Sequence, residues 1–252
     1  MSKEKFEKII KREIDEYLNL SVMGMPCKVP YIFGSSWLEF WRTGGKGSIN
    51  DIRVESEKLF KLYDLDPSEM TEFERYKFLR SKRVGIDCSG MVYQIFDIAS
   101  MELLNKPLKE LINRKKGIIG EIDKKLLGFK RERRVASRHL TSDLNSFSIP
   151  NLADLEVGDM IKMSTSDPKI GHVAIIYEVD RTCDKITYAH SSFHTKKVGP
   201  HLGIINVLDW NKLLEDQEWE EQSTDNKTDL SIRVKSAEGM GIRRLKIFEG
   251  LN

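Results

Sequence analysis

Cys88 lies where an apolar helix is predicted to begin. In VGIDCSGMVYQIF, residues 84–96, the cysteine is flanked by Asp87, Ser89 and Gly90, residue types that favour the start of a helix. The residues that follow carry large apolar groups at helical spacing. Backbone N–H groups and the dipole of a first helical turn favour negative charge, so we expect this thiol to have a lowered pKa and to act as a nucleophile. A buried structural cysteine is the alternative, because free cysteines are commonly buried.

Two histidines are candidates for the general base and the orienting group that a cysteine nucleophile needs. His172 opens the predicted strand HVAIIYEV, and a turn at about 180–185 leads into ITYAHSS, which carries His190. Because the start of one hairpin strand lies opposite the end of the other, both histidines should meet at one end of the sheet. The remaining histidines are interpreted as ordinary hydrogen-bonding residues: His139, His194 and His201.

Metal binding by the His172 and His190 pair is a competing chemistry. It would need a carboxylate or a second cysteine at a fixed spacing, and the sequence provides neither. We therefore expect no metal and no cofactor.

The composition is that of an ordinary globular protein. The chain has 252 residues, 40% hydrophobic and 32% charged, and its 41 basic and 39 acidic residues nearly balance, so no nucleic-acid partner is expected. Cys27, Cys88 and Cys183 form no C-x-x-C pair, which argues against a zinc knuckle or a disulfide scaffold. No stretch approaches the roughly 20 apolar residues of a membrane span, so no membrane partner is expected.

The predicted elements separate into a helical first part and a strand-rich second part. Helices are predicted over about 6–18, 50–64, 67–82 and from Cys88 to about Leu104. Strands are predicted after Pro150 in the segments GDMIKMS, GHVAIIYEV, DKITYAHSS, GIINVLDW and GIRRLKIF. The acidic segment 215–229 is interpreted as a surface loop. Helices followed by strands predict an α+β fold with an antiparallel sheet.

Four blocks of the sequence, in order, resemble the NlpC-type cell-wall peptidases, a papain-like family of cysteine endopeptidases. The blocks are PYIFG (30–34), IDCSGMV (86–92), GDMIKM (158–163), and GHVAIIY (171–177) together with YAHSS (188–192). The resemblance implies one papain-like catalytic domain over residues 1–252.

The resemblance also implies a catalytic role for four residues. Cys88 would be the nucleophile, His172 the general base and His190 the third polar residue that fixes the tautomer of His172. The Tyr31 hydroxyl, with the backbone N–H of Cys88, would stabilise the tetrahedral oxyanion. Stabilisation of this kind is often the greatest single contribution to such catalysis.

The implied substrate is a peptidoglycan stem peptide, cut next to D-glutamate. Asp87 and Ser89 match positions that hold a free substrate amine in some members of the family. Two alternatives stay open: acyl transfer or deamidation of another substrate by the same triad, and a peptidase-like fold that serves only as a binding module.

Two segments depart from the family pattern, at about 35–83 and 105–138. The first separates Tyr31 from Cys88, whereas the two blocks are usually close in relatives. The second contains twelve basic and four acidic residues, so it could bind an anionic partner, although a solvated helical surface is the commoner explanation.

The amino-terminal stretch MSKEKFEKIIKREIDEYLNL is charged throughout and lacks the apolar centre of a signal peptide. We therefore expect a cytoplasmic protein as encoded, with possible delivery to the cell wall by phage or by a dedicated secretion route.

Overall fold

The computed structural model of the protein describes residues 2–33, 43–113, 135–164, 171–224, 230–236 and 240–250. It combines helices with a curled antiparallel sheet, which confirms the α+β class.

Four helices of ten or more residues precede the sheet in the described part of the chain. They are α1 (Lys3–Leu18), α2 (Ile49–Leu62), α3 (Glu72–Ser81) and α4 (Cys88–Leu104). A small hairpin of β1 (Ser21–Val22) and β2 (Met25–Pro26) follows α1, and the short helices Leu108–Leu111 and Ser137–Leu140 follow α4.

The start of α3 differs from its prediction. We expected the helix to begin near Pro67, but Pro67–Glu69 forms only a short 3-10 turn. The helix begins at Glu72, after a capping box in which the side chains of Thr71 and Glu74 each bond the other residue's backbone N–H. This reciprocal pairing satisfies two N–H groups of the first turn, so it determines the start of α3.

Helix α4 is the central element of the fold. Every residue from Cys88 to Phe96 is buried, in agreement with the apolar pattern of the sequence. A helix that is apolar on all sides must be enclosed by other elements. Helix α1 covers one side of α4, and strands β5 and β6 cover another.

Seven strands form one sheet with the order β3-β9-β4-β5-β6-β7-β8, and every neighbouring pair is antiparallel. The strands are β3 (Ser146–Ser148), β4 (Met160–Met163), β5 (His172–Asp180), β6 (Lys185–Ser192), β7 (Gly199–Asn206), β8 (Glu218–Trp219) and β9 (Gly241–Leu245). The five predicted strands are present. However, β7 begins at Gly199, before the predicted GIINVLDW, and β9 gives way to a 3-10 turn at Lys246.

The sheet separates two hydrophobic clusters. Alternate strand residues such as Val173, Ile175 and Ala189 join the larger cluster with α1 and α4. Their sequence neighbours, including Ala174 and Ile176, join a second cluster on the other face. The alternation follows from the two-residue period of a strand, and both faces of the sheet are covered.

The structure describes much of segment 35–83 but only the ends of segment 105–138, the two segments that depart from the family pattern. Ile52, Leu59, Phe60 and Leu79, from the described part of 35–83, lie in the larger hydrophobic cluster, so this segment is part of the core. Within 105–138, residues 114–134 lie outside the described residues, and anion binding there stays a prediction.

Among the described residues, no helix combines the length and the apolar character that crossing a membrane requires.

Candidate active site

The Cys88 thiol lies at the first residue of α4, as predicted. The Asp87 carboxylate caps the helix and accepts a hydrogen bond of 2.6 Å from the Gly90 N–H. The backbone N–H groups of Ser89 and Val173 lie close enough to the Cys88 sulfur to lower the pKa of its thiol. Because Val173 follows His172 on β5, this contact brings the thiol to the start of the strand that carries the proposed base.

Tyr31 reaches the same place although 56 residues separate it from Cys88. A parallel bridge pairs Tyr31 with Ile86, and the Ile86 N–H donates to the Pro30 carbonyl at 3.0 Å. Burial, with the negative charges of a Cys88 thiolate and of Asp87, raises the pKa of Tyr31. The phenol therefore keeps its proton and can donate a hydrogen bond beside the thiol.

The predicted proximity of His172 and His190 is confirmed. The Nε2 of His172 lies 2.8 Å from the Nδ1 of His190, and the rings are nearly perpendicular, at 72°. Strands β5 and β6 form the expected hairpin, in which Ile175 pairs with Ala189. The start of β5 thus lies beside the end of β6.

The chain of polar contacts continues beyond His190 to residues that we did not select from the sequence. His190 pairs in register with His201 of β7, and their Nε2 atoms are 2.9 Å apart. The carboxylate of Glu221 faces both rings, 2.9 Å from the Nε2 of His190 and 2.5 Å from the Nε2 of His201. The hydroxyl of Tyr188 donates to the same carboxylate at 2.8 Å.

Glu221 is ionised in this environment. Burial raises the pKa of its carboxyl group, but hydrogen bonds from His190 and His201 and their charges outweigh burial and hold the pKa well below its usual range. A carboxylate can only accept hydrogen bonds, so both rings present N–H groups to it.

The tautomer of each histidine follows from the ionised carboxylate. His190 donates from Nε2 to Glu221, which leaves its Nδ1 as the acceptor for His172. His172 therefore carries its proton on Nε2, and its Nδ1 is the nitrogen that can take a proton. This is the protonation state that a general base needs.

Both of these histidines are neutral. Burial, followed by the charge of His190, lowers the pKa of His172 well below its ordinary value of 6.5. Burial also lowers the pKa of His190, although Glu221 opposes the shift. Desolvation disfavours the charged form of each imidazole.

The expected lowering of the Cys88 pKa is wrong. Burial, followed by the charge of Asp87, raises the pKa of the thiol to about 12, against the opposing effects of Lys46 and of the N–H groups of Val173 and Ser89. The helix start is present, but desolvation of the thiolate outweighs it. The resting site thus contains a neutral thiol and a neutral imidazole.

A buried lysine already occupies the side chains of Asp87 and Ser89. The Lys46 ammonium lies 2.8 Å from the Asp87 carboxylate and 2.5 Å from the Ser89 hydroxyl. The lysine comes from the segment 35–83, which approaches α4 closely. A Cβ added to Gly90 would lie 2.2 Å from the Gly45 carbonyl oxygen, so only glycine permits this contact.

Three residues of the site were not predicted from the sequence: His201, Glu221 and Lys46. The sequence signals that could have identified them differ in strength. His201 could have been found by pairing the strand after ITYAHSS with His190 across the next turn. Glu221 is one of several acids in 215–229, and its interpretation as part of a surface loop is wrong, because it contacts two buried histidines. Lys46 lies in a glycine-rich stretch and carries no sequence signal that we recognise. His139 behaves as expected, since its Nδ1 accepts the Ala136 N–H at 2.9 Å.

The donor atoms of His190, His201 and Glu221 all lie within 4.8 Å of one another, so this group could hold a metal ion.

No family model, curated protein or solved structure matches the chain.

The neutral histidines His172 and His190 predict a pH-dependent stability. His172 and His190 have lowered pKa values in the folded protein, so below about pH 6.5 the unfolded chain binds protons that the folded chain does not. The free energy of unfolding should therefore fall as pH decreases from 7.5 to 5.5, by up to about 1.4 kcal/mol per pH unit for each histidine. Urea unfolding of His172→Gln should show a shallower dependence than the unchanged protein, while His194→Gln serves as the control. Parallel curves for all three proteins would contradict the assignment.

The raised thiol pKa predicts slow alkylation of Cys88. At pH 7, iodoacetamide should modify the exposed Cys183 faster than Cys88. The Cys88 rate should rise about tenfold per pH unit up to pH 9, because only the thiolate reacts. Peptide mapping by mass spectrometry measures both sites, and Cys183→Ser removes the competing thiol. A Cys88 rate that is already constant below pH 7 would show a low pKa instead.

Proposed function

We propose that the protein is a cysteine endopeptidase or amidase with a papain-like fold. The observation that carries this proposal is the partly buried chain of contacts from His172 through His190 to Glu221, at the strand start whose Val173 N–H approaches the Cys88 sulfur. A nucleophile, a base with one free nitrogen and a group that fixes its tautomer are the parts that acyl transfer by a thiol requires. The resemblance to NlpC-type peptidases gives the same roles to Cys88, His172 and His190.

The first half of the reaction forms a thioester. The Nδ1 of His172 takes the thiol proton as the Cys88 sulfur attacks the substrate carbonyl carbon. The imidazolium that forms is stabilised through His190 by the Glu221 carboxylate. The Tyr31 hydroxyl and the Cys88 backbone N–H donate to the oxyanion. When the tetrahedral intermediate collapses, His172 gives its proton to the leaving amine.

The second half hydrolyses the thioester. His172 is neutral again and takes a proton from water, whose oxygen attacks the acyl carbon. Collapse of this intermediate releases the carboxylic acid, and the proton returns from His172 to the Cys88 sulfur. The neutral resting pair is restored, so no other proton donor is consumed.

The substrate class follows from the family resemblance, with one change. We propose a peptidoglycan stem peptide, cut next to D-glutamate, as the substrate. Asp87 and Ser89 would bind a free amine in some relatives, but here both contact the ammonium of Lys46. An amine of this chain thus takes the position of a substrate amine, and the substrate needs no free amino terminus.

Acyl transfer or deamidation of another substrate by the same residues is the second candidate. The observation that favours it is the same internal ammonium, because Lys46 removes the recognition element for a free amine from the cleft. A non-catalytic binding module is a weaker candidate, since it would not need a buried base with a fixed tautomer.

A digest of purified muropeptides tests the proposal directly. Mass spectrometry of the products should show cleavage next to D-glutamate by the unchanged protein and none by Cys88→Ala. Products with an added acyl acceptor, or a mass increase of one unit without cleavage, would support the second candidate. If the folded protein turned over no amide, the non-catalytic binding module would be the remaining candidate.

Kinetics of matched variants separate the roles in the contact chain. Cys88→Ala should leave no measurable activity, and His172→Ala should retain less than His190→Ala. We expect His190→Ala to lower kcat by roughly 10- to 1,000-fold with little change in KM, because positioned acid–base catalysis contributes about 10²–10⁴. Thermal melts establish that each variant is folded. An unchanged kcat for folded His190→Ala would remove His190 from the mechanism.

The occupied Asp87 site predicts tolerance of a blocked substrate. A stem peptide with an acetylated amino terminus should be cut with a kcat/KM within about threefold of the free-amine peptide, a difference below ~1 kcal/mol. Lys46→Met should shift the preference toward the free amine, because Asp87 then lacks its ammonium partner, whereas exchange of the exposed Lys28 for Met should not. A preference of the unchanged protein for the free amine of more than about tenfold would contradict this account.

A further inference from the structure

The side chains of His190, His201 and Glu221 converge on one point behind the proposed base. The His190 and His201 Nε2 atoms are 2.9 Å apart, and each faces a carboxylate oxygen of Glu221, at 2.9 and 2.5 Å. His190 and His201 are buried, and Glu221 is largely buried. This cluster supplies the carboxylate whose apparent absence from the sequence argued against metal binding.

The contacts of His201 leave Nε2 as the nitrogen of this ring that could bind a metal ion. Its Nδ1 lies 2.7 Å from the Gly199 carbonyl oxygen, which can only accept, so Nδ1 carries a proton. Its Nε2 faces the ionised Glu221 carboxylate, and a bare lone pair there would be repelled. A metal ion bound to both groups would attract the lone pair and the carboxylate alike.

The donor set suits zinc. Two imidazole nitrogens and one carboxylate oxygen, with a fourth position for water, are the ligands of many zinc sites. Donors in a tetrahedral site lie roughly 3.3 Å apart, given Zn–N bonds of about 2.0–2.1 Å. The present separations of 2.5–2.9 Å reflect hydrogen bonds, so loading requires the side chains to separate by about half an ångström.

Each donor is also held by a neighbouring group. His201 bonds to the Gly199 carbonyl, Glu221 accepts from the Tyr188 hydroxyl, and the Nδ1 of His190 contacts His172. Such outer contacts orient metal ligands. Glu221 also lines a surface pocket of ≈ 330 Å³.

We propose that His190, His201 and Glu221 form a zinc site, and that zinc there switches off His172 as a general base. The zinc site does not depend on the proposed peptidase function, whereas the inhibition by zinc rests on that function.

The inhibition follows from the positions of the protons. Zinc requires a bare Nε2 on His190, so the single proton of this ring moves to Nδ1 and points at His172. The Nε2 of His172 becomes the acceptor, and its proton moves to Nδ1. His172 and His190 each hold one proton before and after loading, so in these two rings the protons only move between nitrogens. The nitrogen that took the thiol proton is then occupied.

Zinc titration of the Cys88→Ala protein tests the site without reference to activity. This background removes the thiol that zinc would otherwise bind with His172. Competition with a chromophoric chelator should give one site with a Kd of about 1 µM or tighter. His201→Asn and Glu221→Gln should each weaken binding at least tenfold, whereas Glu220→Gln and His139→Gln are matched controls that should not. Loss of binding in Cys88→Ala, or equal binding by all variants, would overturn the assignment.

Histidine nitrogen NMR tests the switch directly in the folded protein. Spectra of the ¹⁵N-histidine-labelled Cys88→Ala protein should show His172 and His190 protonated at Nε2 without zinc and at Nδ1 with one equivalent. Unchanged tautomers would refute the switch even if zinc binds.

The activity of the unchanged protein supplies the last measurement. One equivalent of zinc should lower the amidase rate at least tenfold, and EDTA should restore it. If the protein were inactive both with and without zinc but still showed the tautomer shift, the proposed peptidase function would be refuted and the zinc site would be retained. Full activity of the loaded protein would refute the inhibition.

Discussion

A helix whose first half is buried on every side must satisfy its first turn inside the protein, and this constraint organises the structure around α4. Its cap is the buried carboxylate of Asp87. An unpaired buried charge is costly, and loss of one partner from a buried pair costs about 3–5 kcal/mol. Lys46 supplies the opposite charge at 2.8 Å. The segment that precedes α2 must therefore return to the helix start, which explains why an apparent insertion belongs to the core.

The same rule applies on the other side of the thiol. The carboxylate of Glu221 is largely buried and carries a charge, and the rings of His190 and His201 provide the donors that compensate it. Each ring has two nitrogens. The hydrogen bond from His190 Nε2 to the carboxylate therefore leaves His190 Nδ1 as an acceptor, and this fixes the tautomer of His172. A group that never approaches the substrate in our proposal thus determines which nitrogen of the base is free.

The features of this arrangement that depend on neighbouring residues could be predicted from the sequence. The features that depend on contacts between distant segments could not. The start of α4 at Cys88 and the β5–β6 hairpin were predictable, because capping residues and alternating strands act over a few positions. The start of α3 was misplaced, because the Thr71 capping box outweighed the proline at position 67. Glu221 and Lys46 were not predictable, since each is brought to the site by contacts between distant segments. The predicted lowering of the Cys88 pKa was wrong for a similar reason. The burial that raises this pKa depends on the whole fold and not on the residues next to Cys88.

Burial is the main reason why the resting site is neutral. Burial, followed by the Asp87 charge, raises the pKa of Cys88 against the opposing effect of Lys46, and burial also keeps His172 uncharged. A standing thiolate–imidazolium pair is thus disfavoured, and in the proposed reaction the proton leaves the thiol as the sulfur attacks. At that moment the charges that appear are an imidazolium, which faces the Glu221 side, and an oxyanion, which faces the Tyr31 hydroxyl. If the proposed reaction takes place, the donors and the carboxylate face charges that form during the reaction. Preorganised electrostatics then accelerate a step instead of stabilising its starting state.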